Sequence, residues 1–236
     1  MMMIVPKPPT TPLATAVMDR LERIYRAAAD PDRAVGMRAY MRDQFPYLGL
    51  PAPAQLVCNR EVLAGIAKPT EADLRAIALG CWELDEREFQ YFAQRLLRRH
   101  AKVLKSGFLS TARTLLTTKS WWDTVDELAA HVVGPLVAAD PNLALMMDAW
   151  SHDADKWLVR TAILYQNRFR EKTDEQRLFR YCADQAEHTD FFIRKAIGWA
   201  LREYAKTNPE AVRTFVATHR GTLSGLSAHE ALRNVG

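Results

Sequence analysis

The chain has 236 residues, 48% of them hydrophobic, enough to fill the core of one large domain or two small ones. Its formal charge of +4 permits a polyanionic partner without demanding one. Three cysteines, Cys58, Cys81 and Cys182, are odd in number and far apart, which argues against a disulfide framework and for a reducing cytoplasm. Arg, Asp or Glu recurs too often to leave the ~18 apolar residues of a membrane-spanning helix, so no membrane role is expected.

Taken in chain order, the first segment, residues 1–13, is interrupted by Pro6, Pro8, Pro9 and Pro12 and lacks the apolar core of a signal peptide. It reads as a flexible leader to a single domain spanning 14–236. From there on, apolar residues recur at helical spacing, as in Leu74, Ile77, Ala78 and Cys81 or Leu158, Ala162, Ile163 and Tyr165. No segment alternates as a strand, and the expected class is all-α. Breaks are expected at Asp30-Pro31, Pro51-Ala52-Pro53, Lys68-Pro69-Thr70, Ser106-Gly107, Gly134-Pro135, Asp140-Pro141 and Asn208-Pro209. They divide the chain into roughly a dozen short helices, at a rise of ~1.5 Å per residue.

Two basic groups stand out, one of Arg95, Arg98, Arg99, His100, Lys102 and Lys105, the other of Arg168, Arg170 and Lys172. A solvated helix face is the commoner origin of such runs. The chain also resembles itself, because Trp157-Leu158-Val159-Arg160-Thr161-Ala162-Ile163 matches Phe191-Phe192-Ile193-Arg194-Lys195-Ala196-Ile197 at an offset of 34. Helices opening at Glu88-Phe89 and Trp121-Trp122 fall at similar intervals, near the ~40-residue unit of HEAT-like arrays. A HEAT-like helical repeat solenoid follows, whose concave face has the geometry to receive duplex DNA.

The segment Thr117 to Asp126 carries the most unusual chemistry. Ser120 is expected to cap a helix with Asp123 three residues on, and that helix would place Trp122 and Asp126 on one face, a turn apart. An aromatic face attracts a cation by roughly 0.5 to 2 kcal/mol, and a carboxylate adds Coulombic attraction. A purine alkylated at N7 or N3 is such a cation and already a good leaving group. One carboxylate could then stabilise the sugar cation left behind and orient water. The plainer alternative is that the Trp-Trp pair packs the core and the Asp sits at the positive end of a helix dipole. Trp199 is likewise more often a packed helix residue, and Arg160 could form an internal ion pair. The six histidines make no HExxH and no cysteine stands at metal-ligand spacing. Nucleotide-binding and nucleophile-elbow glycine motifs are missing too, so no metal and no cofactor is expected.

Thr118-Lys119-Ser120-Trp121-Trp122-Asp123-Thr124-Val125-Asp126 closely resembles the signature of the AlkD family of DNA glycosylases, which remove 3-methyladenine and 7-methylguanine. Tyr40-Met41-Arg42, Trp82-Glu83-Leu84-Asp85-Glu86-Arg87-Glu88-Phe89, Trp157-Leu158-Val159-Arg160 and Phe191 to Trp199 look like further landmarks in the same order, from about Leu21 to about Thr218. The resemblance implies that Trp122 and Trp199 flank the lesion nucleotide, that Asp126 is the catalytic carboxylate, and that Arg160, Tyr40, Lys119 and Arg194 contact DNA. It implies a monomer in the bacterial cytoplasm, acting in base excision repair on duplex DNA with cationic alkylpurines. The chain departs from the family pattern at Pro51-Ala52-Pro53-Ala54-Gln55, where polar and basic residues around a single proline are usual. Two other readings are a catalytically weak or inactive protein that binds distorted or branched DNA, and a protein-binding scaffold.

Overall fold

The computed structural model describes residues 10–233, which are all-helical, with no strand among them. The chain divides into two compact units, one up to Thr111 and one from Ala112. Residues 1–9 of the expected leader lie outside the described residues. Its last two, Pro12 and Leu13, already belong to a helix, because Thr11 accepts a hydrogen bond from the Ala14 amide and Pro12 supplies the fixed φ that suits a first turn.

The first unit comprises α1 (Pro12–Ala27), α2 (Pro31–Tyr40), α3 (Ala52–Val62), α4 (Glu71–Glu83) and α5 (Arg87–Arg99). Their starts follow the breaks read from the sequence. Asp30 caps α2 ahead of Pro31, and Thr70 with Asp73 forms a reciprocal capping box on α4. The proline-rich Pro51 to Gln55 segment is the first turn of α3, where missing amide protons cost nothing, and Gln55 Nε2 donates back to the Leu50 carbonyl at 2.7 Å. Helix α1 packs on α3 and α4, and α5 packs on α4 and α3, around Val17, Leu21, Leu74, Ile77, Phe89 and Phe92. The loop entering α3 is held by Glu88, a fully buried carboxylate that accepts from the amides of Leu48 (3.0 Å), Gly49 (2.9 Å) and Leu50 (3.0 Å). Gly49 is required there. Its φ is +89°, and a β-carbon would collide with the Asp30 carbonyl oxygen.

The second unit holds α6 (Leu109–Thr117, its first turn lying before the boundary), α7 (Trp122–Leu128), α8 (Gly134–Ala139), α9 (Ala144–Trp150), α10 (Lys156–Leu164), α11 (Glu175–Asp184), α12 (Phe191–Ala205), α13 (Pro209–Thr218) and α14 (Gly225–Leu232). Helices α7, α10, α12 and α14 pack each on the next, with α11 and α13 filling between, which is the stacking of a helical repeat. The break expected at Gly134-Pro135 is no break. A π-helical turn, Ala129–Val133, joins α7 to α8, the Gly134 amide reaching back to the Ala129 carbonyl, so that Pro135 enters without severing the helix. Gly134 lets the neighbouring backbone in, since a β-carbon would strike the Tyr165 carbonyl oxygen.

The repeat is also shifted by one residue from its sequence match. Asp155 caps α10 through the Trp157 amide (2.8 Å) and Asp190 caps α12 through the Phe192 amide (2.7 Å), so Trp157 corresponds to Phe192 and not to Phe191. Cap position sets which residues face the core, and Leu158 and Ile193, next in each helix, are both fully buried.

Candidate active site

Helix α7 does not begin as the sequence suggests. Ser120 is not its cap; the Ser120 hydroxyl donates to the Leu116 carbonyl at 2.6 Å, closing the end of α6. The N-cap falls on Trp121, whose extended backbone accepts the first helical bonds, from Thr124 and Val125. Lys119 makes the turn between the helices in the left-handed region, at φ 49°. The one-residue displacement keeps Trp122 and Asp126 a turn apart on the same helix, as expected, and both are part-buried.

Asp126 meets Arg160 of α10 in a two-pronged ion pair, Nε donating to Oδ1 at 2.6 Å and a terminal nitrogen to Oδ2 at 2.7 Å. The other terminal nitrogen of Arg160 donates to the Phe192 carbonyl, at the start of α12. Three stacked helices thus converge on one guanidinium. The arginine is 4% exposed and the aspartate 12%. A carboxylate this deeply placed loses hydration, and burial raises the Asp126 carboxyl above the ordinary aspartate range, with the Arg160 charge and its hydrogen bonds pulling the other way.

Beside the pair lies an aromatic cluster in which Trp121 packs, as the plainer alternative for the Trp-Trp pair has it, against two rings with no expected role, Trp157 and Phe192. Trp121, Trp157 and Phe192 touch with ring centroids 4.9, 5.1 and 5.9 Å apart, and Phe191 adds an edge contact to Phe192 at 5.5 Å. Each of the three stands at the opening of its helix. Their spacing of 36 and then 35 residues was the available signal. Lys156 sits 5.3 Å from the rings of Trp157 and Phe192 and pairs with Asp190 at 2.8 Å. Burial raises the Asp190 carboxyl, but the Lys156 and Phe192 hydrogen bonds outweigh it and hold the group below its ordinary value. The Trp121 indole N–H is buried with no hydrogen-bond partner.

Trp199 lies on α12 seven residues beyond Phe192, hence on the same face two turns along, and is part-exposed. Arg194, on the same helix, turns its Nε to the His188 carbonyl at 2.8 Å. Asp126, Arg160 and the start of α12 are therefore brought together, with Trp122 and Trp199 on the contributing helices and Lys119 in the entering turn. Tyr40 belongs to the first unit, at the end of α2, and is 74% exposed. No group of three His, Cys, Asp or Glu side chains able to hold a metal occurs among the described residues, and no helix there is long and apolar enough to cross a membrane. The three cysteines are buried and unpaired, and burial pushes each thiol up.

Stacked helices that join a carboxylate–guanidinium pair to the opening of α12, with an aromatic cluster at the same helix starts, define an all-helical repeat protein with a candidate site on its second unit. The model of the DNA alkylation repair enzyme family matches residues 21–235, and the chain belongs to that family. A solved structure described as a predicted DNA alkylation repair enzyme from Enterococcus faecalis is similar to it, at a TM-score of 0.81 and 28% identity over 88% of this chain and 97% of that one. No curated protein matches the chain significantly.

Proposed function

We propose that the protein is a monofunctional DNA glycosylase that hydrolyses the N-glycosidic bond of cationic alkylated purines, 7-methylguanine and 3-methyladenine, in duplex DNA. The observation that carries this is Asp126, a carboxylate held by Arg160 within one helical turn of Trp122. Alkylation at N7 or N3 puts a positive charge on the purine, so the base departs without strong protonation. What the enzyme must supply is negative charge for the oxocarbenium-like sugar and a fixed acceptor for the attacking water. Asp126 has one oxygen lone pair on each side left for these tasks after Arg160 is bonded. Trp122 and Trp199 would contact the cationic base with their ring faces.

Of the residues assigned to DNA, Lys119 and Arg194 adjoin this site in sequence and fold, and Tyr40 is an exposed side chain of the first unit. Arg160 has a double part in this reading. Three of its five N–H groups hold Asp126 and the Phe192 carbonyl, and two remain for a phosphate. A carboxylate rather than an amine occupies the catalytic position 126, so a Schiff base with the sugar is not expected, the reaction stops at the abasic site, and borohydride should trap no protein–DNA adduct.

The test is release of free 7-methylguanine and 3-methyladenine from methylated duplex DNA by the native protein and by Asp126→Asn. Release by the native protein that collapses in the folded variant is the expected result. Binding to methylated duplex without release by either would favour a protein that recognises distorted DNA and does no chemistry.

A further inference from the structure

The first unit carries a cavity that the proposed reaction does not use. It is a half-open cleft of about 720 Å³ between the C-terminal halves of α3 and α5, lined by Asn59, Arg60, Arg95, Arg98 and Arg99 over Leu56, Leu63, Phe92 and Leu96. Four arginines surround it and no carboxylate does. Arg95, Arg98 and Arg99 are spaced i, i+3, i+4 on α5 and so share one face, while Arg60 comes from α3. The negative ends of the two helix dipoles favour an arginine at each terminus. They do not account for Arg95, a turn further back, or for the convergence of both helices on one cavity with no carboxylate in its lining. Arg60, Arg95 and Arg99 have no carboxylate partner among the described residues.

The cavity is polar on one side only. Asn59 Oδ1 accepts from the Tyr25 hydroxyl at 2.6 Å, which leaves the amide NH₂ as a donor toward the cavity. The floor beneath is apolar, with Phe92 and Leu96 buried under it and Leu56 half exposed at its edge. Guanidinium groups recognise phosphate oxygens in pairs and also stack on flat rings. A volume within the range of small-molecule sites, donors without acceptors on the rim, and an apolar floor together specify the ligand's chemistry.

We propose that this cavity binds a small phosphate ester with a flat, weakly polar body, of the size of a nucleoside monophosphate. Arg60, Arg95 and Arg99 take the phosphate, the Asn59 amide donates to the body, and Phe92, Leu96 and Leu63 receive its apolar face. The apolar floor and the arginine from a second helix separate this from a backbone-tracking DNA surface, which needs only positive charge along its length.

Titration calorimetry of the full chain with deoxyguanosine 5′-monophosphate, deoxyguanosine and inorganic phosphate tests this. The nucleotide should bind at least tenfold more tightly than either fragment, and its affinity should fall at least tenfold in Arg95→Gln/Arg99→Gln, with an unchanged melting temperature showing that the variant is folded. Arg60→Gln, on the other helix, should weaken binding in the same direction. Absence of nucleotide binding at millimolar concentration, an unchanged affinity in both variants, or inorganic phosphate binding as well as the nucleotide would overturn the proposal. So would displacement of the nucleotide by undamaged duplex DNA at equal phosphate concentration, which would make the cavity part of a DNA surface.

Discussion

Each unit places a carboxylate on a helix away from water, and the two are used in opposite ways. Glu88 in the first unit is fully buried and gives both oxygens to three backbone amides of one loop. Asp126 in the second is at the edge of burial and gives its oxygens to one side chain, Arg160, which is itself tied to a third helix. Burial raises both carboxyls, so desolvation does not distinguish them. What does is the partner. Amides in a loop fix backbone, whereas a guanidinium fixes the orientation of a carboxylate that still has a free lone pair on each oxygen and aromatic neighbours.

The same small chemical change at the two places separates structure from chemistry. Asp126→Asn removes the negative charge but keeps the shape, and base release should fall by about 100- to 1000-fold, roughly 3 to 4 kcal/mol of transition-state stabilisation. The ionised form is the active one, and its carboxyl is raised, so the native enzyme should be fully active well above the ordinary aspartate value of about 3.9 and lose activity with falling pH at a midpoint higher than that value. An acid limb at or below the ordinary value would mean that Arg160 dominates the burial. Release that persists in Asp126→Asn would put Asp126 in the same structural role as Glu88.

Glu88→Gln should do the converse. Its amide NH₂ would face an amide donor of Leu48 or Gly49, leaving a buried N–H unpaired at a cost of about 2 to 3 kcal/mol, which lowers the melting temperature by roughly 4 to 12 °C in a chain of this size. Activity per folded molecule should be unchanged. If thermal unfolding showed no shift, the loop before α3 would not depend on this carboxylate.

Arg160→Lys sharpens the comparison further. A lysine retains the charge but cannot span both Asp126 oxygens and the Phe192 carbonyl, so the carboxylate stays ionised and loses its fixed orientation. Release should drop about tenfold, near 1.4 kcal/mol, chiefly in the chemical step, which single-turnover kinetics would report. A loss confined to DNA affinity, with a shallower salt dependence, would instead place Arg160 on the phosphate backbone.

The contrast between the two carboxylates was only half legible in the sequence. Asp126 could be read because it stands four residues from Trp122, and i,i+4 spacing survives a shift in the helix start; the cap itself was misplaced, because Ser120 had a nearer acceptor in the Leu116 carbonyl. Glu88 could not be read as a loop anchor, since its partners are backbone amides about 40 residues away that any residue type would supply. Helix starts at Asp30, Thr70 and Asn208 were legible through their side-chain caps. The Gly134-Pro135 junction was not, because a π-helical turn depends on what packs against it, here the carbonyl of Tyr165. The aromatic cluster of Trp121, Trp157 and Phe192 follows a spacing visible in the sequence, yet the cap positions are needed to bring Phe192 rather than Phe191 into register.

A third carboxylate bounds the comparison from the exposed side. Asp148 on α9 accepts from Arg177 at 3.0 and 3.1 Å and from the Tyr181 hydroxyl at 2.6 Å, with Arg180 as a further partner, tying α9 to α11. The Arg177 hydrogen bonds outweigh partial burial and hold its carboxyl at about 2. A folded-state value below the unfolded value of about 3.9 makes the folded protein the weaker proton binder, so the group stabilises the fold above that pH and ceases to do so as pH falls toward 2. With solvent screening of the part-exposed pair, the contribution should be about 1 kcal/mol, the smallest of these effects. Urea unfolding of Asp148→Asn should therefore show lower stability than the native protein at pH 7, with the gap closing as pH falls from about 4 toward 2. An equal gap at every pH would mean that the loss comes from packing between α9 and α11 and not from the charge, and Asp148 would then belong with Glu88 as a geometric anchor.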